Sequence, residues 1–154
     1  MRGKSASVSP LEAHLGYWLR FVSNQVSHSF SLKLADRNVT VAEWVVLREL
    51  YECDATVPSV LAEKIGMTRG AISKLADRLL AKALVTRTTS DEDRRYQALA
   101  LTVKGRALVP KLAALADQND AKFFGHLKAA EQDSIKAVMR EIVDRHGLKS
   151  VPVE

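Results

Sequence analysis

The chain has 154 residues, 47% of them hydrophobic and 27% charged, the composition of an ordinary folded domain with room for one sizeable core. No stretch reaches the roughly 18 unbroken apolar residues of a membrane span, the opening MRGKSASVSP lacks the apolar run of a secretory signal, and one cysteine, Cys53, cannot close a disulfide within the chain, so a cytoplasmic location is expected. The net charge of +5 is concentrated: residues 66–106 carry nine Lys or Arg against four Asp or Glu, an excess of five, which leaves the rest formally neutral and assigns any polyanionic partner to this segment.

Residues 1–9 are expected to form a disordered tail. Ser9-Pro10-Leu11-Glu12 has the spacing of a capping box with proline at the first helical position, which predicts a helix from there to about Leu34. Leu11, Leu15, Trp18, Val22, Val26 and Phe30 recur along it at spacings of three and four. Thr40-Val41-Ala42-Glu43 repeats the capping pattern and opens a short second helix with Val41, Trp44, Val45, Leu47 and Leu50 as its apolar set. Thr56 is the expected cap of a third helix, VPSVLAEKIG, with Pro58 in its first turn and Gly66 ending it in the left-handed conformation. Thr68 then caps a fourth. Only Gly66 and Met67 separate the third and fourth helices, the tight spacing of a helix-turn-helix.

On the fourth helix Ile72, Leu75, Ala76 and Leu79 share one face, while Gly70, Ser73, Lys74 and Asp77 share the other, flanked by Arg69 and Arg78. A thin, polar, basic face beginning at a helix N-terminus suits entry into a DNA major groove. The bland alternative is a solvated helix face, but a hairpin follows directly. It is expected to run from Ala83 to Thr89, turn through Ser90–Asp93 and return from Arg95 to Leu101, with Leu99 and Leu101 on its core side. Arg94 and Arg95 fall where the tip meets the strand, placed to reach a minor groove or clasp phosphate, and Asp93 can orient the Arg95 guanidinium.

Thr102 is the expected cap of a fifth helix carrying Leu108, Leu112, Leu115, Phe123, Phe124 and Leu127, kinked near Pro110. A sixth, with Ile135, Val138, Met139, Ile142 and Val143 on its buried side, ends at Gly147. A small central domain can bury only part of these terminal amphipathic faces, so a second copy of the chain is the economical partner. Two recognition helices would then lie about one DNA turn, ~34 Å, apart and read a pseudo-palindromic site. Tyr17, Trp18, Phe21 and Trp44 read most simply as core or interface anchors, and otherwise as the lining of an effector pocket. His14, His28, His126 and His146 lack metal-ligand spacing, no cofactor motif is present, and no catalytic residue is assigned.

From Val39 to about Gly105 the chain resembles the winged helix-turn-helix regulators of the MarR (multiple antibiotic resistance regulator) family. The resemblance is carried by VLAEKIGM, by TRGAISKLADRLLAK with LVTR soon after, and by DEDRRYQALALTVKG, whose Asp93-Arg94-Arg95 and Leu101-Thr102 are the most specific part. It implies a mainly α fold with a small β-hairpin wing, in which residues 37–102 form the DNA-binding domain and residues 10–36 and 103–147 form dimerisation helices. It further implies that the fourth helix reads the major groove and that Arg95, or failing it Arg94, reaches the minor groove. DNA contact is thus expected from Thr68, Arg69, Gly70, Ser73, Lys74, Arg78, Asp93, Arg94 and Arg95. One departure is Lys82-Ala83-Leu84, where the family commonly has Lys-Gly-Leu and where alanine carries a steric cost if the backbone is left-handed. The expected function is a dimeric, sequence-specific transcriptional regulator, a repressor responsive to a small molecule. The alternative is a winged-helix protein-interaction module that does not read DNA.

Overall fold

A computed structural model describes the backbone of residues 7–90 and 93–149, and the side chains of residues 7–88 and 97–149. Among the described residues six α-helices and one antiparallel hairpin follow in the order α1 (Leu15–Ala35), α2 (Val41–Tyr51), α3 (Pro58–Ile65), α4 (Arg69–Ala81), β1 (Val85–Ser90), β2 (Asp93–Leu101), α5 (Val103–Phe124) and α6 (Ala129–His146). The mainly α architecture with a β-hairpin wing is as expected. Most of residues 1–9, assigned above to a tail, lie outside the described residues.

The start of the first helix differs from expectation. Instead of capping a helix, Ser9-Pro10 leads into a single 3-10 turn, Leu11–Ala13, after which His14 is extended at φ −95° and ψ 123°. The Trp18 indole donates to the Glu12 carbonyl at 2.9 Å, which fastens this turn against α1 rather than in line with it. With Leu11 and Leu15 both largely exposed, no packing within the chain supports an additional helical turn there. Only the C-terminal end of α1 enters the core, through the fully buried Leu34.

Thr40 caps α2 as expected, its hydroxyl accepting from the Glu43 amide at 3.1 Å. Thr56 does not cap α3. Its amide donates to the Leu99 carbonyl at 3.0 Å and its carbonyl accepts from the Leu99 amide at 2.8 Å, so it borders β2 as a one-residue third strand. Val57 takes the cap position and Pro58 the first helical one, where a missing N–H costs nothing. Gly66, at φ 78°, ends α3 in the left-handed conformation, and the Thr68 hydroxyl accepts from the Ala71 amide at 3.1 Å to open α4. The core lies where these helices meet the hairpin: Leu47, Leu50, Leu61, Ile72, Leu79, Leu99 and, from α5, Leu112 are all essentially inaccessible.

The hairpin is slightly displaced from its expected limits, with β1 beginning at Val85 and β2 at Asp93. Val85 pairs with Leu101 and Arg87 with Leu99, which fixes Leu99 on the core side. Its root is tightly specified. Ala83 is left-handed, at φ 58°, the conformation in which alanine carries a steric cost that glycine would not. The Thr102 hydroxyl donates to the Ala83 carbonyl at 2.7 Å and accepts from the Gly105 amide at 3.0 Å, capping α5 onto the same turn. A Cβ on Gly105 would come within 2.1 Å of the Leu84 carbonyl oxygen, so only glycine allows α5 to lie this close. Ala83→Gly should therefore raise stability by about 1 kcal/mol, the left-handed penalty of alanine less the extra chain entropy of glycine. Thermal melts of the two proteins would show it as an upward shift of a few degrees for the variant.

α5 runs unbroken through Pro110. α6 departs most from expectation, for it buries none of its residues. Ile135, Val138, Met139, Ile142 and Val143, expected on a buried side, are between 38% and 55% exposed. Leu15, Trp18, Leu19, Phe21 and Val22 of α1 are likewise exposed. The amphipathic pattern is present, but among the described residues nothing buries its apolar face.

Candidate nucleic-acid interface

The exposed face of α4 follows from its core face. Ile72, Leu75, Ala76 and Leu79 are buried against α2, α3 and β1, which turns Arg69, Gly70, Ser73, Lys74, Asp77 and Arg78 outward. A Cβ at Gly70 would meet nothing within 4 Å, so the first turn presents a bare backbone with amides not used by the helix itself. Thr68, Gly70, Lys74 and Arg78 line a shallow groove of about 400 Å³ beside Ala42 and Met67. Six of the expected contact residues, Thr68, Arg69, Gly70, Ser73, Lys74 and Arg78, thus share one exposed surface. The backbone of the other three, Asp93, Arg94 and Arg95, is in β2 at the distal end of the wing. Their side chains lie outside the described residues.

Two ion pairs brace this surface, and neither was expected. Arg87 on β1 donates to Asp77 on α4 at 2.8 Å, joining the hairpin to α4 with both side chains substantially exposed. Beneath α4, Glu43 is 1% exposed and accepts from Lys82 at 2.7 Å, while Arg78 lies 4.0 Å from its other oxygen. Lys82 also donates to the Asn38 carbonyl at 2.7 Å. The sequence concealed Glu43 because it stands at the third position of α2, where the capping pattern supplies a sufficient local reason for a glutamate. On the opposite side of the motif Lys64 pairs with Glu49 at 2.6 Å; this hydrogen bond, and then the carboxylate's charge, raises the ammonium above the ordinary lysine value.

The four aromatic residues considered for an effector pocket are not brought together. Tyr17 packs edge-on to Trp18 with ring centroids 5.3 Å apart and lies 6.2 Å from Phe21, whereas Trp44 meets Phe30 instead, at 6.4 Å. A cleft of about 440 Å³ opens elsewhere, between α1, the start of α2 and α5, lined by Val26, Phe30, Val41, Ala116 and Asn119 among others. Asn119 is 3% exposed and donates to the Val26 carbonyl at 3.1 Å, which leaves its buried Oδ1 without a partner. Nothing in the local pattern around Asn119 marks it, since it stands in the polar run Asp117-Gln118-Asn119-Asp120, which reads as solvated. Cys53, half-buried, has its thiol 3.7 Å from the Leu50 carbonyl, a weak donor contact at the end of α2.

Residues 39–96 match the sequence model of the MarR family. The fold is similar to that of BpsR from Bordetella bronchiseptica, whose DNA binding is regulated by 6-hydroxynicotinic acid: 26% identity, 90% of this chain and 99% of that one, TM-score 0.78. It is also similar to MepR of S. aureus in its complex with DNA, at 22% identity over 86% of this chain and 98% of that one, TM-score 0.78. CouR from Rhodococcus jostii, bound to p-coumaroyl-CoA, matches at 22% identity over 96% of this chain and 99% of that one, TM-score 0.77.

Proposed function

We propose that this chain is a MarR family protein, as the match of residues 39–96 to that family's sequence model supports, and that it is a sequence-specific DNA-binding transcriptional regulator that acts as a homodimer and represses until a small molecule binds. The observation that carries the reading is the α4 surface: an open first turn at Gly70, flanked by Arg69, Lys74 and Arg78 and tied to the wing through Arg87–Asp77. Such a helix approaches base edges with its N-terminal half while its arginine and lysine side chains meet phosphates on either side. Arg94 and Arg95, at the far end of β2, would extend the contact into the adjoining minor groove. No metal, cofactor or catalytic group enters this reading, in which the chain is a regulator and not an enzyme.

Dimerisation is supported by the exposed apolar residues of α1 and α6, which leave on each helix an apolar surface of the kind that monomers seldom present to water. Pairing by a two-fold axis would bury that surface twice and set two α4 helices to face one side of a duplex. Effector response is supported by the cleft between α1 and α5, an apolar space with one unsatisfied acceptor in Asn119 Oδ1, by the regulation of BpsR's DNA binding by 6-hydroxynicotinic acid, and by the p-coumaroyl-CoA bound to CouR. A molecule that binds one separation of the two lobes better than another would change DNA affinity by that difference.

Selection of bound duplexes from a random pool tests the reading. The expected product is one inverted repeat with half-site centres roughly one helical turn, ~34 Å, apart. Failure to enrich any sequence would instead favour a protein-interaction module.

A further inference from the structure

We propose that Glu43 is a positioning residue for DNA recognition, a buried carboxylate beneath α4 that orients Arg78 toward a backbone phosphate while Lys82 neutralises it. The inference rests on the DNA-binding reading above and adds to it a residue that does not itself touch DNA. Glu43 is 1% exposed, and a carboxylate so placed needs cationic partners to remain buried at all. α4 and its C-cap supply both, one turn apart: Lys82 hydrogen-bonds Oε2 at 2.7 Å, and an Arg78 guanidinium nitrogen stands 4.0 Å from Oε1.

The two contacts are unequal, and that inequality suggests the role. Lys82, with its side chain only 25% exposed and a second bond to the Asn38 carbonyl, is committed to the interior. Arg78 is 56% exposed, and 4.0 Å is too long for a direct hydrogen bond, so its guanidinium is attracted to Glu43 without surrendering its donors. It lines the same groove as Thr68, Gly70 and Lys74. A long arginine normally loses rotamer freedom on meeting a phosphate; a fixed negative charge on one side of it removes part of that freedom in advance. Glu43 holds this place instead of turning back to the Thr40 amide, the bond that a complete capping box would make.

A double-mutant cycle on the selected duplex tests the assignment, with Glu43→Gln, Arg78→Ala and both together compared with the unaltered protein. Gln keeps the shape and an acceptor for Lys82 but removes the charge. Coupled residues in contact typically show interaction worth a few-fold to about a hundredfold in an equilibrium constant. We expect Glu43→Gln to weaken specific binding by a factor in that range when Arg78 is present and to cost nothing further when it is alanine. An equal loss in both backgrounds, or no loss in either, would overturn the role. If Glu43→Gln melts below the assay temperature, the cycle is run with Lys82→Gln throughout, so that residues 43 and 82 of the variant are both neutral amides. If the unaltered protein binds no duplex, the functional reading falls and this inference with it, an outcome distinct from binding without coupling.

Discussion

Replacing Met139 and Ile142 with glutamate should yield a folded monomer that has lost at least about a hundredfold in affinity for its DNA site. α6 buries none of its residues, so the double substitution leaves the core of α2, α3, α4 and the hairpin untouched, and the helical circular dichroism should persist. At a two-fold interface each substitution appears twice, placing four carboxylates on a surface otherwise made of isoleucine, valine, methionine, leucine and tryptophan. Burying such charges unpaired is prohibitive, and the dimer should dissociate rather than accommodate them. A monomer engages one half-site and forgoes the effective concentration that joins the second, typically a factor of 10² to 10⁴. Sedimentation equilibrium and a DNA titration on the same sample check both parts; a variant that remains dimeric would show that α6 is not at the interface.

The second large effect is expected at the wing. Changing Arg94 and Arg95 together to alanine should weaken specific binding by roughly ten- to a thousandfold, since a base or groove contact by one arginine is commonly worth about 1–3 kcal/mol. If both also neutralise phosphate, four contacts are lost from the dimer and the slope of log K against log salt should become shallower by about 4. The dimer should be unaffected, because the elements against which β2 packs are β1, α2, α3 and α5. Either single variant then ranks the two residues, with Arg95 expected to carry the larger share. Unaltered affinity would remove the wing from the interface and leave recognition to α4 alone.

Much of this molecule could be read before any coordinates because its helices obey local rules. Thr40, Thr68 and Thr102 cap the helices they precede, Gly66 and Gly147 are left-handed at helix ends, and the buried face of α4 is the one its periodicity marks. Each of those features depends on residues within one or two turns. Most of the departures involve a partner distant in the chain. Thr56 has the chemistry of a cap but is claimed by Leu99; Ser9-Pro10 is the exception, for the 3-10 turn that replaces the expected helix start is held by the Trp18 indole on the Glu12 carbonyl, six residues away. Glu43 fits a capping box while its charge belongs to Lys82, thirty-nine positions later. Asn119 hydrogen-bonds a carbonyl on α1 that no local pattern could indicate. The α6 stripe was legible as apolar, but periodicity cannot say whether its complement is in the same chain or in another.

The most direct test of the central claim is a titration of fluorescent duplex bearing the selected site, repeated over a series of salt concentrations, with stoichiometry measured at saturation. The account predicts two chains per duplex and a log–log salt slope of roughly −6 or steeper, as expected when paired α4 helices and wings neutralise six or more phosphates. Saturation at one chain, or no binding even at low salt, would contradict it.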